Sequence, residues 1–391
     1  MRTAYETFLE AASSIEKDLI AFRRHLRRNP ELSWQEHETA RFIRSKLSDH
    51  NIAWTGGYAV NGTAADFGGN GRPKIAWRAD IDALPIHDTL ETGYASLNPG
   101  IAHACGHDVH TTIAYGIARM LAAHPDRVMR PIRVFWQPAE ESLPSGAPAM
   151  INDGILHDVE AVLAVHVDPT RQVGTFGVRA GAETAAVDTF TITVEAPGTA
   201  HSARPYTGKD TIWILNQILN HLYSFGERTT DVRHPSVLAV CQVNGGHAAN
   251  VIPKIVSCKG TIRTTDPNQR AYYETAIRSY LTAMSDIHGV DIHLEWQPGA
   301  PAVVNDARLA AYAQQAVVDI LGKTALDLGE ASLGAEDFAH YQQHVPGLYM
   351  RVGSRSGPQT AYPLHSSCFD VDEGVIVPAI ALAATLLTQY P

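Results

Sequence analysis

The sequence predicts an α/β fold: a largely parallel sheet flanked by helices, with an inserted ferredoxin-like βαββαβ domain. Three observations predict it. Helical and strand-like patterns alternate through the first third of the chain, the order changes to strand, helix, strand, strand, helix, strand between Asp188 and Gln297, and helix and strand resume after Gly299. A chain of 391 residues is also too long for one ordinary core. The domains are therefore expected at 1–185 with 298–391, and at 186–297.

Taken in order, the apolar spacing predicts one amphipathic helix from Tyr5 to Arg28 and another from Glu36 to Asp49. A buried strand follows at Lys74–Arg78, a helix at Asp108–Ala123, and strands at Ile132–Trp136 and Ala161–Val167. In the insert, strands are expected at Thr189–Glu195, Ser236–Asn244, Ile255–Arg263 and Val290–Trp296, with helices at Asp210–Phe225 and Gln269–His288. The chain then returns to a helix at Arg308–Leu321, a strand at Gly347–Val352 and a final helix at Glu373–Gln389.

Composition narrows the function classes. Hydrophobic residues make up 45% and charged residues 18%, which suits a packed globular protein. The net charge of -10 argues against a nucleic-acid partner. Arg23-Arg24 and Arg27-Arg28, the densest basic residues, read as a solvated helix face. No apolar stretch reaches the roughly 20 residues of a membrane helix, and Met1 to Glu10 lacks the order of a signal peptide, so no membrane association and a cytoplasmic location are expected. Four cysteines in so long a chain do not form a disulfide framework. Cys241 and Cys258 read as small buried hydrophobes.

Only Cys105 has chemically suggestive company. In Ala104-Cys105-Gly106-His107-Asp108-Val109-His110, a tight turn at Gly106 lets a thiolate and an imidazole point at one ion, and Asp108 is placed to cap the next helix. Glu140-Glu141 follows a strand at its C-terminal end, where open α/β sheets place their sites. One carboxylate can bind metal while the other faces water and substrate. An exposed acidic pair is the plainer alternative, weakened by Pro138 and the upstream cluster.

His166 at a strand end and His365 in Pro363-Leu364-His365-Ser366-Ser367 are ordinary histidines alone and candidate ligands in this company. Cys105, His107, Glu141, His166 and His365 number five, more than one open catalytic zinc takes, so two metals a few ångströms apart use them better. Asp80, in Arg78-Ala79-Asp80-Ile81-Asp82, reads equally as a residue orienting a histidine ligand or as an N-cap beside a surface acid. In the insert, His201, Asn250 and Arg263 are donors suited to a carboxylate or an oxyanion.

Together these motifs resemble the dinuclear metallopeptidase superfamily of acetylornithine deacetylase, aminoacylases and carboxypeptidase G. The resemblance is closest to its amidohydrolase branch, the hippurate hydrolases, N-acyl-amino-acid amidohydrolases and auxin-conjugate hydrolases. It runs from Arg27 to Ser33, through Arg78 to Pro85, Ala104 to His110 and Gln137 to Glu141, to Gly334-Ala335-Glu336-Asp337-Phe338. It implies that Cys105, His107, Glu141, His166 and His365 bind two divalent ions; thiolate and imidazole donors favour zinc foremost, or cobalt or nickel, and manganese occurs in similar family sites. By the same resemblance Glu140 is the general base for a metal-activated hydroxide. His201 supports the oxyanion at a neighbouring subunit's site, and Asn250 and Arg263 grip the substrate carboxylate. The insert is then a lid that also forms a homodimer, and the substrate an N-acyl amino acid, a similar small conjugate or a short peptide. Relatives usually carry two glycines before the lid histidine, where this chain has Pro197-Gly198-Thr199-Ala200.

Two other classes compete. A cysteine hydrolase using Cys105 as nucleophile would leave Glu140, Glu141 and His365 without a role. A non-catalytic binding protein would not need Glu140. No Gly-x-Ser-x-Gly elbow or phosphate-binding glycine loop occurs.

Overall fold

The computed structural model describes residues 3–69, 71–231 and 233–390; Met1, Arg2 and Pro391, which the sequence reading assigns to the first and last segments, lie outside the described residues. Two compact units result: Met1–Gly181 with Val304–Glu330 and Asp337–Pro391, and Ala182–Val303 with Ala331–Glu336.

The first unit is built on an eight-stranded sheet. In spatial order the strands are Thr55–Tyr58, Gly62–Phe67, Ile132–Gln137, Lys74–Asp80, Val159–Gln172, Gly347–Arg355, Phe176–Gly177 and Leu326–Asp327. The four central strands, from Ile132–Gln137 to Gly347–Arg355, run parallel. They are buried almost throughout, which is why they read as continuous apolar runs. The helix Ile376–Gln389, apolar all round, packs against Ala4–Ser14 and His107–Ala123. At Gly116 a Cβ would lie 2.1 Å from Ile380 Cδ1, so glycine is what lets two of these helices approach.

Register places the strand ends level. Arg78 pairs with Phe135 on one side and Ala164 on the other, so Asp80, Gln137 and His166 stand together two residues further on, at the C-terminal edge. The strand carrying His166 continues past its expected end at Val167 to Gln172, because those residues pair with Gly353 and Arg355.

The second unit has a four-stranded antiparallel sheet in the order Asp291–Pro298, Ala186–Glu195, Ile255–Thr264, Ser236–Gly245. Counted along the chain this is 4-1-3-2, the ferredoxin-like arrangement. Alternate residues of Ala186–Glu195 are buried, and Phe190, Ile192 and Val194 pack with Ile214, Ile218 and Leu222 of Thr211–Thr229 and with Tyr273, Ile277 and Leu281 of Pro267–His288. The second of these helices has Asp266 as N-cap, a proline in its first turn and left-handed Gly289 after its end.

Four expectations are corrected. The first helix is two, Ala4–Ser14 and Glu16–Arg28: Ser13 and Ser14 turn their hydroxyls back onto Leu9 O and Ala11 O, and Ile15 leaves the helical region. The arginine quartet is not a solvated face, since Arg23 and Arg27 are fully buried among partners from distant segments. Gly106, not Asp108, is the N-cap of His107–Ala123, and the Asp108 carboxylate accepts from Arg23 instead. Cys258 is buried as expected, but Cys241 is exposed at a bulge in the edge strand Ser236–Gly245.

Candidate metal centre

At Gly106 the backbone has φ +85, and a Cβ there would lie 2.3 Å from Val167 Cγ2. Only glycine makes this turn without strain, and it holds Cys105 and His107 either side of the start of a buried helix. Ala139 has φ +54, a conformation costing roughly 1–2 kcal/mol for a residue with a Cβ. It is held there by the buried Glu36 carboxylate, which accepts from Ala139 N at 2.8 Å, from Trp34 N and from Asn61 Nδ2. Burial, and Asp82 nearby, push the Glu36 pKa up. The strained residue aims Glu140 and Glu141 off the strand end.

The five side chains singled out in the sequence converge. Donor atoms of Cys105, His107 and His166 lie within 4.8 Å of one another, as do those of Cys105, Glu141 and His365, so Cys105 is common to both sets. A third set joins His107, Glu140 and Glu141. Cys105 Sγ is 3.4 Å from His166 Nε2, and Glu141 Oε1 is 3.4 Å from His365 Nε2 and 3.8 Å from His107 Nε2. His365 sits at φ +65 with its backbone N–H on Ala104 O at 2.8 Å.

The His166 and His107 rings are each set by their other nitrogen. His166 Nδ1 lies 2.7 Å from Val167 O, which can only accept, so Nε2 keeps its lone pair for Cys105's side of the site. Burial holds its pKa well down, and the ring is neutral. His107 Nδ1 meets Asp82 Oδ1 at 3.2 Å, which turns Nε2 into the cluster. Burial alone would lower the His107 pKa, but Asp80, Asp82 and Glu141 outweigh it and push it up to about 10. The Cys105 thiol is pushed well up by burial and then by Glu141 and Glu140.

The two acids after the strand divide the work differently from the sequence reading, and neither is a surface group. Asp80 is a neighbour of His110, whose Nδ1 is 2.7 Å from its Oδ1; its other oxygen accepts from Arg78 and lies 3.8 Å from His107 Nε2. His110 Nε2 accepts from Val167 N, so both ring nitrogens are engaged within the protein. Asp82, given no role by the sequence, faces His107 and also accepts from Glu141 N and Ser33 Oγ. The available signal was Asp80-Ile81-Asp82, since residues two apart in extended chain share a face. Asp337, in the glycine-punctuated segment, accepts from Arg78, Gln137 and Ala147 N, and its N–H is 3.4 Å from Glu140 Oε1.

The residues fit a metal. His107 Nε2 and Glu141 Oε1 are buried with no hydrogen-bond partner, an arrangement costing about 1–3 kcal/mol for each polar atom that a cation would relieve. A thiol, imidazoles and a carboxylate are a donor set for divalent transition ions.

In the second unit, His201 and Asn250 come together. His201 pairs with Val251 in a two-residue ribbon, Ser202 N donates to Asn250 O, and both side chains are exposed. His201 Nδ1 accepts from Ala203 N. Arg263 lies instead near the far end of the strand Ile255–Thr264, donating to Leu333 O at 2.9 Å.

The profile described as Peptidase family M20/M25/M40 matches residues 76–389. N-acetyl-L-cysteine deacetylase of Bacillus subtilis is 36% identical over 94% of this chain and 86% of its own. IAA-amino acid hydrolase ILR1-like 2 of Arabidopsis thaliana is 31% identical over 95% and 85%. Among solved structures, YxeP of Bacillus subtilis, described as a dinuclear metal-binding peptidase from the M20 family, superposes with a TM-score of 0.84 at 31% identity, covering 96% of this chain and 98% of that one.

Proposed function

The chain belongs to peptidase family M20/M25/M40, and on that premise we propose that it hydrolyses the amide bond of an N-acyl amino acid or a similar small conjugate. That it is a hydrolase of the family's amidohydrolase and peptidase kind follows from the matches along almost its whole length. The observation that carries the site is the convergence of five ligand-type side chains, two of which bring buried polar atoms without a hydrogen-bond partner, His107 Nε2 and Glu141 Oε1.

Cys105, His107 and His166 would hold one divalent cation, and Cys105, Glu141 and His365 the other. When bound, the pair supplies Lewis-acid polarisation of the scissile carbonyl and a lowered pKa for the attacking water. Glu140 reaches the same cluster through His107 and Glu141, takes the proton of that water and delivers it to the leaving nitrogen. His201 supports the developing oxyanion, and Asn250 and Arg263 hold the substrate carboxylate, as the family resemblance implies. Thiolate and imidazole donors favour zinc over manganese, with cobalt and nickel able to substitute.

Residues 186–297 act as a lid and as the homodimer contact. Support comes from the resemblance and from the unpaired edge of Ser236–Gly245, which exposes Val237 and Val243. No helix among the described residues is long and apolar enough to cross a membrane. A thermostable carboxypeptidase of Saccharolobus solfataricus is 33% identical over 93% of this chain, which keeps short peptides as the second substrate class. A nucleophilic Cys105 is disfavoured, because burial and the adjoining acids keep its thiol protonated.

The test is a panel of N-acetyl, N-benzoyl and dipeptide substrates, with and without chelator, on the native chain and Glu140→Gln. Turnover that chelation abolishes and zinc restores, with roughly a 10²–10⁴-fold slower Glu140→Gln of unchanged metal content, is expected. Near-native turnover in that variant would remove Glu140 from the role, and activity insensitive to chelation would remove the metals.

A further inference from the structure

We propose that Arg23 and Arg27 are positioning residues of the metal centre, clamping the segment that carries Cys105 and His107 to the segment that carries His365. They are four apart on the helix Glu16–Arg28 and so share one face. Each guanidinium bridges both segments. Arg23 Nε donates to Asp108 Oδ2 at 2.7 Å, while Nη2 and Nη1 donate to Asp370 Oδ1 at 2.7 Å and Glu373 Oε1 at 3.2 Å. Arg27 Nη1 donates to His103 O at 2.6 Å and Nη2 to Phe369 O at 2.7 Å, with Asp88 Oδ2 3.2 Å away.

The tied residues lie immediately around the ligands: His103 and Asp108 bracket Cys105 and His107, and Phe369 and Asp370 follow His365 closely. Closer still to the ligands, His365 N donates to Ala104 O at 2.8 Å. His365 itself comes from the connection between Arg355 and Ile376, whose helical content is two three-residue turns, and its side chain is about half exposed. A metal site tolerates only about 0.2 Å of error in ligand distance, so the separation of the two segments decides whether Cys105 and His365 can share an ion. Arginine suits the task because its planar fork presents several donors at fixed angles, whereas lysine offers a single point charge.

The proposal rests on the metal-centre reading above, and its test separates the two. Zinc is titrated calorimetrically into the chelator-stripped full chain, as the native protein, Arg23→Lys, Arg27→Lys and Asp370→Asn. Thermal melts establish that each is folded. Asp370→Asn keeps the side chain's shape, so it reads the clamp even where a buried arginine cannot be replaced. His365 belongs to only one of the two donor sets, so zinc affinity is expected to fall about 10-fold or more at one site and stay near native at the other. Arg41→Gln, which breaks an exposed ion pair with Glu38, is expected to bind as the native chain does. Variants that melt lower yet bind two zinc ions within about twofold of native would overturn the clamp and leave the metal centre standing. A native chain that binds no zinc would overturn the metal centre, and the clamp with it.

Discussion

Zinc loading should expel protons from this protein, and the number follows from the buried groups. In the metal-free fold His107 has its pKa pushed up to about 10 by Asp80, Asp82 and Glu141 against the effect of burial, and burial and acids keep Cys105 as a thiol. Both must be deprotonated to act as ligands, whereas His166 is already neutral. At pH 8 loading therefore releases at least about two protons, one from each group, and the apparent affinity climbs about a hundredfold per pH unit between pH 7 and 8. The assay is calorimetric titration of the stripped chain in phosphate and in Tris, since the difference in observed enthalpy between buffers counts protons directly. Release of only about one proton would refute the reasoning, because it would mean the imidazole is already neutral between its carboxylates. The same shifts set the metal-free stability. Both pKa values are raised on folding, so the contribution of His107 is fully present below its ordinary 6.5 and is lost as the pH rises through about 10, while that of Cys105 is lost above its ordinary 9.0. The stripped protein should melt progressively lower across that window.

Three further outcomes are expected. Asp82→Asn, which weakens the partner of His107 Nδ1 and Glu141 N together, should bind zinc about 10–100-fold more weakly; unchanged affinity would show the two ligands are held by other contacts. Gly106→Ala combines a left-handed alanine, roughly 1–2 kcal/mol, with a Cβ 2.3 Å from Val167 Cγ2, about 1–3 kcal/mol of overpacking, so its unfolding midpoint should drop by the equivalent of about 2–5 kcal/mol. An unaltered midpoint in denaturant would mean the turn rearranges freely. Ile218→Ala, in the core of the second unit, should cost about 2–5 kcal/mol there and leave the zinc content at its native value by elemental analysis; a loss of zinc would show that this core supports the ligands.

Much of this molecule is legible in its sequence because its signals are local. The parallel strands are buried on both faces and so appear as apolar runs, and the second unit's Ala186–Glu195 alternates buried and half-buried residues over its whole length. The candidate ligands were visible because metal chemistry draws on few residue types, and Cys105-Gly106-His107 and Glu140-Glu141 cluster them along the chain. What the chain alone could not decide was which polar groups are inside. Arg23 and Arg27 have the pattern of a solvated helix face, and only partners 61 to 350 residues away along the chain make their burial tolerable. Asp82 gained its place facing His107 in the same way, and Asp108, its carboxylate taken by Arg23, left the helix cap to Gly106. An amphipathic pattern records where a side chain is apolar, but the cost of burying a charge is offset by counter-charges, and these are brought together only by the tertiary fold.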